Sequence, residues 1–323
     1  MHEQERLNLV VTEVRQETPL IRAIRLARVH DEPLPAWQAG AHIKVQIPQS
    51  DERSYSLINF SADPSASRNP RSYLIGVRLE QPSQGGSVYM HALKPGDAIR
   101  ASAPTNNFPL QATGKPVVLL AGGIGVTPLI SMAAELTAGQ HPFWFHYAGR
   151  SRDQLALLPA IEELAGSRLS IHTDDLSGLF DVVGLMSSLK DEESLYCCGP
   201  MPMIELAIKT AKRLGWREGR LHFEIFTAPL PKAGDQDFDV VLKSSGESFH
   251  IPAGKSILDV LIAAGKDPMH DCKRGDCGIC QVGVVEGVPD HRDFILTDAE
   301  KAAGKIMQIC VSRSKTPRLV LDL

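Results

Sequence analysis

The sequence predicts a multidomain chain, β then α/β then α+β: an antiparallel β-barrel, a doubly wound parallel sheet and a small mixed domain. Short strand-like segments with few helical stretches fill residues 1–112. Strands and helices alternate over 113–228. Three cysteines crowd into 272–280, within a C-terminal stretch (237–323) that carries its own hairpin and helix signals. Residues 229–236 join the last two parts; TAPLPKAGDQD (227–237), with two prolines and a glycine, reads as a linker.

Composition bounds the function. The 323 residues are 43% hydrophobic and 22% charged, which argues for packed cores and against disorder. A net charge of −4 gives nucleic-acid binding no electrostatic support. The opening MHEQERLNLV lacks the apolar core of a signal peptide. The longest apolar run, VVLLAGGIGV (117–126), is too short to cross a bilayer. The expectation is a cytoplasmic protein without membrane attachment, whose six cysteines stay reduced.

In the first part, LNLVVTEVRQ, LIRAIRLARV, HIKVQIP, RSYSLIN, YLIGVRLE and DAIRASAP read as strands, with turns such as Pro95-Gly96-Asp97 between them. In the second, VVLLA (117–121) reads as a buried parallel strand, GGIG as a glycine turn, and a helix is expected from about Pro128. Strand, glycine turn and helix in that order place a phosphate at a helix N-terminus, although a core-packing turn has the same pattern. PFWFHYAGR (142–150), LSIHTDD (169–175) and LYCCGP (195–200) are further strands. QLALLPAIEELAG (154–166) and MPMIELAIKTAKRLG (201–215) are helices. HFEIF (222–226) closes the sheet.

In the third part, FDVVLKSSGESFHIP (238–252) reads as two strands turning at Ser245-Gly246. SILDVLIAAG (256–265) is a helix with Ser at its start and Gly at its end. QVGVVEGVPDH (281–291) returns to alternation. CKRGDCGIC supplies Cys272, Cys277 and Cys280, and Cys310 follows in the strand-like KIMQICVS. The alternatives are packed thiols, or a zinc site, which usually shows two C-x2-C pairs. C-x4-C-x2-C followed by a distant Cys is the ligand spacing of plant-type [2Fe–2S] clusters. Gly275 and Gly278 give the loop the backbone freedom to aim N–H groups at sulfurs.

These motifs resemble a known family. The third part resembles the β-grasp fold of plant-type ferredoxins. GGIGVTP with the later CCGPMPM resembles the nicotinamide-binding domain of the ferredoxin-NADP reductase superfamily. RSYSL and GGSVYMHAL resemble its flavin-binding elements. The order of flavin barrel, nicotinamide domain and C-terminal ferredoxin resembles the phthalate dioxygenase reductase family over the whole chain. The resemblance implies FMN, NADH and a [2Fe–2S] cluster as cofactors. A nicotinamide delivers two electrons together and a cluster accepts one, so the flavin mediates between them.

Carried over, Arg53 binds the flavin phosphate with Gly85, Gly86 and Ser87, Ser54 and Tyr55 line the flavin, and Ser56 lies near its N5. Gly122, Gly123, Gly125, Thr127 and Pro128 hold the pyrophosphate, and Cys198, Gly199 and Pro200 lie beside the nicotinamide. Ser56, Thr127 and Cys198 are the residues expected to serve hydride transfer. Cys197 reads as strand-end packing, and Phe226 is a candidate to approach the flavin. Cys272, Cys277, Cys280 and Cys310 ligate the cluster. Arg150, Ser151 and Arg152 stand where a 2′-phosphate would be read, but the family resemblance implies NADH. Lys273 and Arg274 are candidates to steer an acidic partner. The implied partner is a Rieske-type terminal oxygenase, served by a monomeric reductase. Alternatives are a reductase of the same layout serving a cytochrome P450, and a flavin and iron–sulfur redox sensor.

Overall fold

The computed structural model describes residues 6–30, 32–48, 52–63, 65–81, 83, 85–111, 114–227, 229 and 232–323. The chain divides into two compact units, the first ending at Glu224 and the second beginning at Ile225. The barrel and the parallel sheet both lie in the first. The expected boundary at 112/113 and the start of the expected linker at 228/229 rest partly on residues outside the described ones.

The barrel strands are β1 (Arg6–Thr18), β2 (Ile21–Ala27), β3 (His42–Val45), β4 (Arg53–Ser56), β5 (Ser72–Arg78) and β6 (Ala98–Ser102), with the short helices α1 (Ser65–Arg68) and α2 (Gly86–Ala92). They form one six-stranded sheet, order β4-β3-β6-β1-β2-β5, antiparallel throughout. A bridge between Leu57, just past β4, and Ile75 of β5 brings the two edges together. The sheet closes on itself, which removes its open edges. Alternation along β1 and β2 sends Leu7, Leu9, Val11, Ile24 and Leu26 into the interior.

The second sheet contains β7 (Val117–Gly122), β8 (Phe143–Gly149), β9 (Leu169–Thr173), β10 (Ser194–Cys198) and β11 (Leu221–Glu224), all parallel, in the order β11-β10-β7-β8-β9. Every residue of central β7 is buried, as a strand covered on both faces requires. The crossovers carry α3 (Val126–Ala138), α4 (Leu158–Ala165), α5 (Asp174–Ser177), α6 (Val182–Ser188) and α7 (Met201–Arg213). Helix α3 is apolar nearly all round and is buried at ten of its thirteen positions. It is wedged between its sheet and the barrel: Ser131 Oγ donates to Leu57 O at 2.8 Å and accepts Asn59 N–H at 2.9 Å.

The second unit holds β12 (Phe238–Leu242), β13 (Ser248–Ile251), β14 (Gln281–Glu286), β15 (Pro289–Asp290), β16 (Ile306–Gln308), β17 (Arg313–Ser314) and β18 (Arg318–Asp322), with α8 (Ile257–Ala263) and α9 (Asp298–Ala303). Five strands make a mixed sheet, β13-β12-β18-β14-β16, in which β12 and β18 run parallel; β15 and β17 pair separately. Ser256 caps α8 by accepting Asp259 N–H at 3.0 Å. Ile257, Leu258 and Leu261 on that helix pack with Val240, Leu319 and Leu321.

Candidate redox sites

The parallel sheet builds the first site at the carboxyl end of its strands, where a doubly wound sheet binds ligands. β7 ends at Gly122, a single turn spans Gly123–Gly125, and α3 starts at Val126. Gly123 has φ +54, a left-handed conformation that glycine adopts freely, and nothing lies within 4 Å of where its Cβ would be. Gly122 and Gly125 are glycines for a different reason, lack of space. A Cβ at Gly122 would sit 2.5 Å from Pro200 Cδ and 3.2 Å from Gly199 Cα. One at Gly125 would sit 2.6 Å from Gly199 N. The two sequence motifs, 75 or so residues apart, therefore lie against each other through bare backbone, leaving the N-terminus of the thirteen-residue α3 facing the space above the sheet.

Thr127 is 1% exposed. Its hydroxyl donates to Ile124 O at 3.1 Å and its methyl fills the space beside Gly76 of β5, where a Cβ would come 2.8 Å from Thr127 Cγ2. The residue joins the glycine turn to the barrel. Pro128 is buried within the first turn of α3. Cys197 and Cys198 are both buried; burial alone pushes the Cys197 thiol up to about 12, so it is an inert packing group.

Cys198 stands opposite Glu224 in the parallel register of β10 and β11, and Glu224 is buried too. Sequence reasoning passed over this acid, although a charge in the apolar HFEIF was a visible signal. Phe226 lies two residues beyond β11 and is half-buried; by contacts it belongs to the second unit.

The flavin-type motifs also meet. β4 carries Arg53, Ser54, Tyr55 and Ser56. Ser56 is buried, and Tyr55 lies against the barrel core, its hydroxyl pushed upward in pKa by burial. Gly85 caps α2 and Gly86 opens it. A Cβ at Gly86 would fall 2.8 Å from Arg53 Cγ and 3.3 Å from its Nε, so the arginine stem is laid along this turn. Ser87 Oγ accepts Glu80 N–H at 3.1 Å and lies 3.0 Å from Ser83 Oγ. The cationic side chain, the glycine backbone and a half-buried aromatic ring suit a flavin phosphate and ring.

Around the 2′-phosphate position, Arg152 is paired with Glu162 at 2.5 Å and Ser151 Oγ donates to Asp153 at 2.5 Å. Asp175 N–H donates to Arg150 O at 3.0 Å, which brings the acidic Asp174-Asp175 tip beside the basic stretch.

The second site lies in the second unit. Cys280 and Cys310 Sγ are 3.0 Å apart, and Cys272 is hydrogen-bonded to Cys277. In each pair one thiol keeps the proton. The bond from Cys272 draws Cys277 down to about 6, and the bond from Cys310 draws Cys280 down, while Cys272 and Cys310 are pushed up. Backbone N–H groups point at sulfurs: Arg274 at Cys272 (3.3 Å), Ile279 at Cys277 and Gly275 at Cys310. Lys273, Gly275 and Gly278 all have positive φ, at 56°, 82° and 79°. Among the described residues no three or more His, Cys, Asp or Glu side chains gather as one metal ion would draw them. Two thiol pairs ringed by amides suit a two-iron cluster.

Three details depart from the sequence expectation or lie outside it. Cys310 sits in a turn two residues past β16, although KIMQICVS reads as a strand. Arg274 is 9% exposed and so is unavailable as a surface charge; Lys273 is half-buried. Asp276, which the sequence did not single out, accepts Ile225 N–H at 3.1 Å and hydrogen-bonds Cys272.

Comparison with known proteins agrees with this layout. The model of the 2Fe-2S iron-sulfur cluster binding domain matches residues 240–315. Phenoxybenzoate dioxygenase subunit beta of Ectopseudomonas oleovorans is 41% identical over 294 residues, covering 90% of this chain and 89% of the relative. Phthalate dioxygenase reductase of Burkholderia cepacia is 38% identical over 300 residues, covering 90% and 89%. A solved phthalate dioxygenase reductase, described as a modular structure for electron transfer from pyridine nucleotides to [2Fe–2S], superposes with a TM-score of 0.73 at 35% identity over 98% of both chains. An intact type IV self-sufficient cytochrome P450 monooxygenase superposes with a TM-score of 0.76 at 34% identity over 98% of this chain, which spans only 41% of that one.

Barrel, parallel sheet and 2Fe–2S domain in this order define a class of iron–sulfur oxidoreductases. At this identity and coverage, the chain belongs to the phthalate dioxygenase reductase family. Among the described residues no helix is long and apolar enough to cross a membrane.

Proposed function

We propose that this chain is the reductase component of a Rieske-type non-haem iron oxygenase system, a cytoplasmic monomer that draws electrons from NADH and delivers them singly to the oxygenase. The observation that carries the reading is the presence, in one chain, of the interlocked GGIG and CGP turns and a three-thiol loop brought against Cys310, with loop amides facing the sulfurs. FMN bound at the barrel would supply the conversion of a two-electron donor into one-electron steps.

The residues divide the work. The amide ends at Gly123, Gly125 and Thr127, with Pro128 setting the first turn of α3, would hold the pyrophosphate. Gly122, Cys198, Gly199 and Pro200 would shape the floor under the nicotinamide, with Gly122 and Gly199 lacking side chains so that the two turns can lie against each other. Arg53, Gly85, Gly86 and Ser87 would hold the FMN phosphate, while Ser54, Tyr55 and Ser56 would line its ring. Cys272, Cys277, Cys280 and Cys310 would hold the cluster. The acidic tip at Asp174-Asp175 and the engaged Arg152 favour NADH over NADPH, because a 2′-phosphate there would meet carboxylates.

The acceptor has a second reading. The self-sufficient P450 whose structure this chain matches makes a P450 the alternative partner. Stoichiometric reduction of a co-purified oxygenase, or of a P450, decides between them.

The experiment that tests the electron order pairs two variants. Cys310→Ser replaces a thiolate with a hard, weakly acidic hydroxyl, so iron and sulfide content should fall while NADH still bleaches the flavin. Thr127→Ala should do the reverse, slowing bleaching with the cluster intact. Acid extraction should release FMN; release of FAD would overturn the flavin assignment. A Cys310→Ser protein with full cluster content and normal partner reduction would overturn the cluster assignment.

A further inference from the structure

Asp293 is a buried carboxylate for which the reading above has no use. Its side chain is 0% exposed. Oδ1 accepts Leu296 N–H at 2.8 Å and Ile295 N–H at 3.3 Å, closing the turn that leads into α9. Lys301 Nζ lies 3.6 Å from Oδ1 and donates to the Asp293 backbone O at 2.7 Å. Oδ2 faces His291 Nδ1 at 3.8 Å and has no hydrogen-bond partner among the described residues.

Closing the turn does not explain the charge. An asparagine would accept the same two amides without placing an ion in the interior, and Lys301 approaches only Oδ1 and leaves Oδ2 unbonded. The location of the segment offers an explanation. Phe294 N–H donates to Gly275 O at 3.0 Å, and a Cβ at Gly275 would fall 3.3 Å from Asp293 Cα. Arg292 N–H donates to Ser312 Oγ at 3.2 Å. Residues 291–296 thus touch both halves of the thiol set, the 272–280 loop at Gly275 and the Cys310 turn at Ser312. Gly275 is itself the residue whose N–H points at Cys310.

We propose that Asp293 is a positioning residue for the iron–sulfur site. Its carboxylate holds the turn that fastens Gly275, and its negative charge lowers the site's affinity for an added electron. Net charge and the amides facing sulfur are two of the means by which a protein sets a cluster's potential, and Asp293 bears on both. The proposal rests on the assignment of Cys272, Cys277, Cys280 and Cys310 as ligands.

The test uses full-length, cluster-loaded protein and two readouts, the EPR spectrum of the reduced cluster and its midpoint potential in a redox titration. The wild type checks the ligand assignment first; a wild type without iron and sulfide would sink that assignment and leave nothing to attribute to Asp293. Asp293→Asn keeps the Oδ1 acceptor and removes the charge, so EPR line shape should be retained and the potential should rise. Lys301→Gln removes the neighbouring positive charge, and the potential should fall. Asp293→Ala removes the acceptor as well, so the line shape should change and a chelator should strip iron several-fold faster. An unchanged potential in Asp293→Asn overturns the charge role whether or not the alanine variant folds. Wild-type EPR and chelator kinetics in Asp293→Ala overturn the positioning role.

Discussion

Replacing Gly125 with alanine tests the join between the two nicotinamide turns. Gly125 has φ −61° and ψ −5°, ordinary helical values, so alanine meets no backbone strain there. The obstacle is space. The new methyl would lie 2.6 Å from Gly199 N, against an ordinary contact of 3.4 Å, so the CGP turn must retreat by about 0.8 Å; the Cys198 carbonyl, closer still, demands more. These are backbone atoms and cannot rotate aside. Cys198 is paired to Ala121 and Glu224 in the sheet, so the retreat strains two strand pairings. Overpacking of this kind costs roughly 1–3 kcal/mol in stability, which a chain of this size survives. The catalytic effect should be larger in proportion: a misplacement of about 1 Å lowers positioned chemistry on the order of 10²-fold, or about 2.7 kcal/mol. Anaerobic stopped-flow measurement of flavin bleaching by NADH reads this step directly, with flavin and iron content as controls for folding. A Gly125→Ala enzyme with full cofactor content that bleaches within about twofold of wild type would show that the close approach of the two turns does not position the nicotinamide.

Gly123→Ala should behave differently, because its Cβ meets open space and only the left-handed φ of +54 opposes it; a loss of roughly 1–2 kcal/mol in thermal or denaturant stability with a modest rate effect is expected. Asp235 is held bidentately by Arg292 at 2.9 and 2.5 Å, and the hydrogen bond draws its carboxyl from 3.8 down to about 2. Its stabilising effect is present in full above the unfolded value and is lost as pH falls from about 4 toward 2; Asp235→Asn should lower stability at neutral pH by about 1–2 kcal/mol after solvent screening, and the gap to wild type should close over that acid range in denaturant titrations. Arg220 is buried, donating to the carbonyls of Leu189, Lys190 and Glu193 and lying 4.0 Å over the Trp216 ring; Arg220→Leu removes all three bonds, leaving Lys190 O only its bond from Glu193 N–H, and should lower stability by about 2–4 kcal/mol, with cluster content unchanged.

Local signals explain most of what the sequence made legible. VVLLA, short, apolar throughout and ended by two glycines, reads as a strand buried on both faces, and it lies in β7. Ser256 and Gly265 bracket α8 because a cap and a helix stop act within a few residues. The cysteine spacing was legible because the loop supplies its own sulfurs and its own amides. The helix expected from Pro128 starts two residues earlier, at Val126, because the glycine turn runs directly into it. Cys310 lies outside a strand although KIMQICVS alternates. Its sulfur has to reach Cys280, so the chain turns after Gln308 and leaves the alternation unused.

What the sequence hid is decided by contacts across long separations. Arg274 looks like a surface charge in CKRGD, and nothing local says otherwise; it is buried because the loop is packed on residues far along the chain, as Gly275 is on Asp293 and Val311. Asp276 meets Ile225 across 51 residues, and Glu224 meets Cys198 only through the pairing of β10 with β11. Arg274, Asp276 and Glu224 are all charged, and in each the charge is placed by the fold around a redox site rather than by its neighbours in sequence. A motif search recovers ligands and phosphate turns because their geometry is built within a loop. The residues that tune such a site act through space, so burial and register are needed to find them, and the electrostatics of Asp293 and Asp276 are where variants should separate cluster potential from cluster assembly.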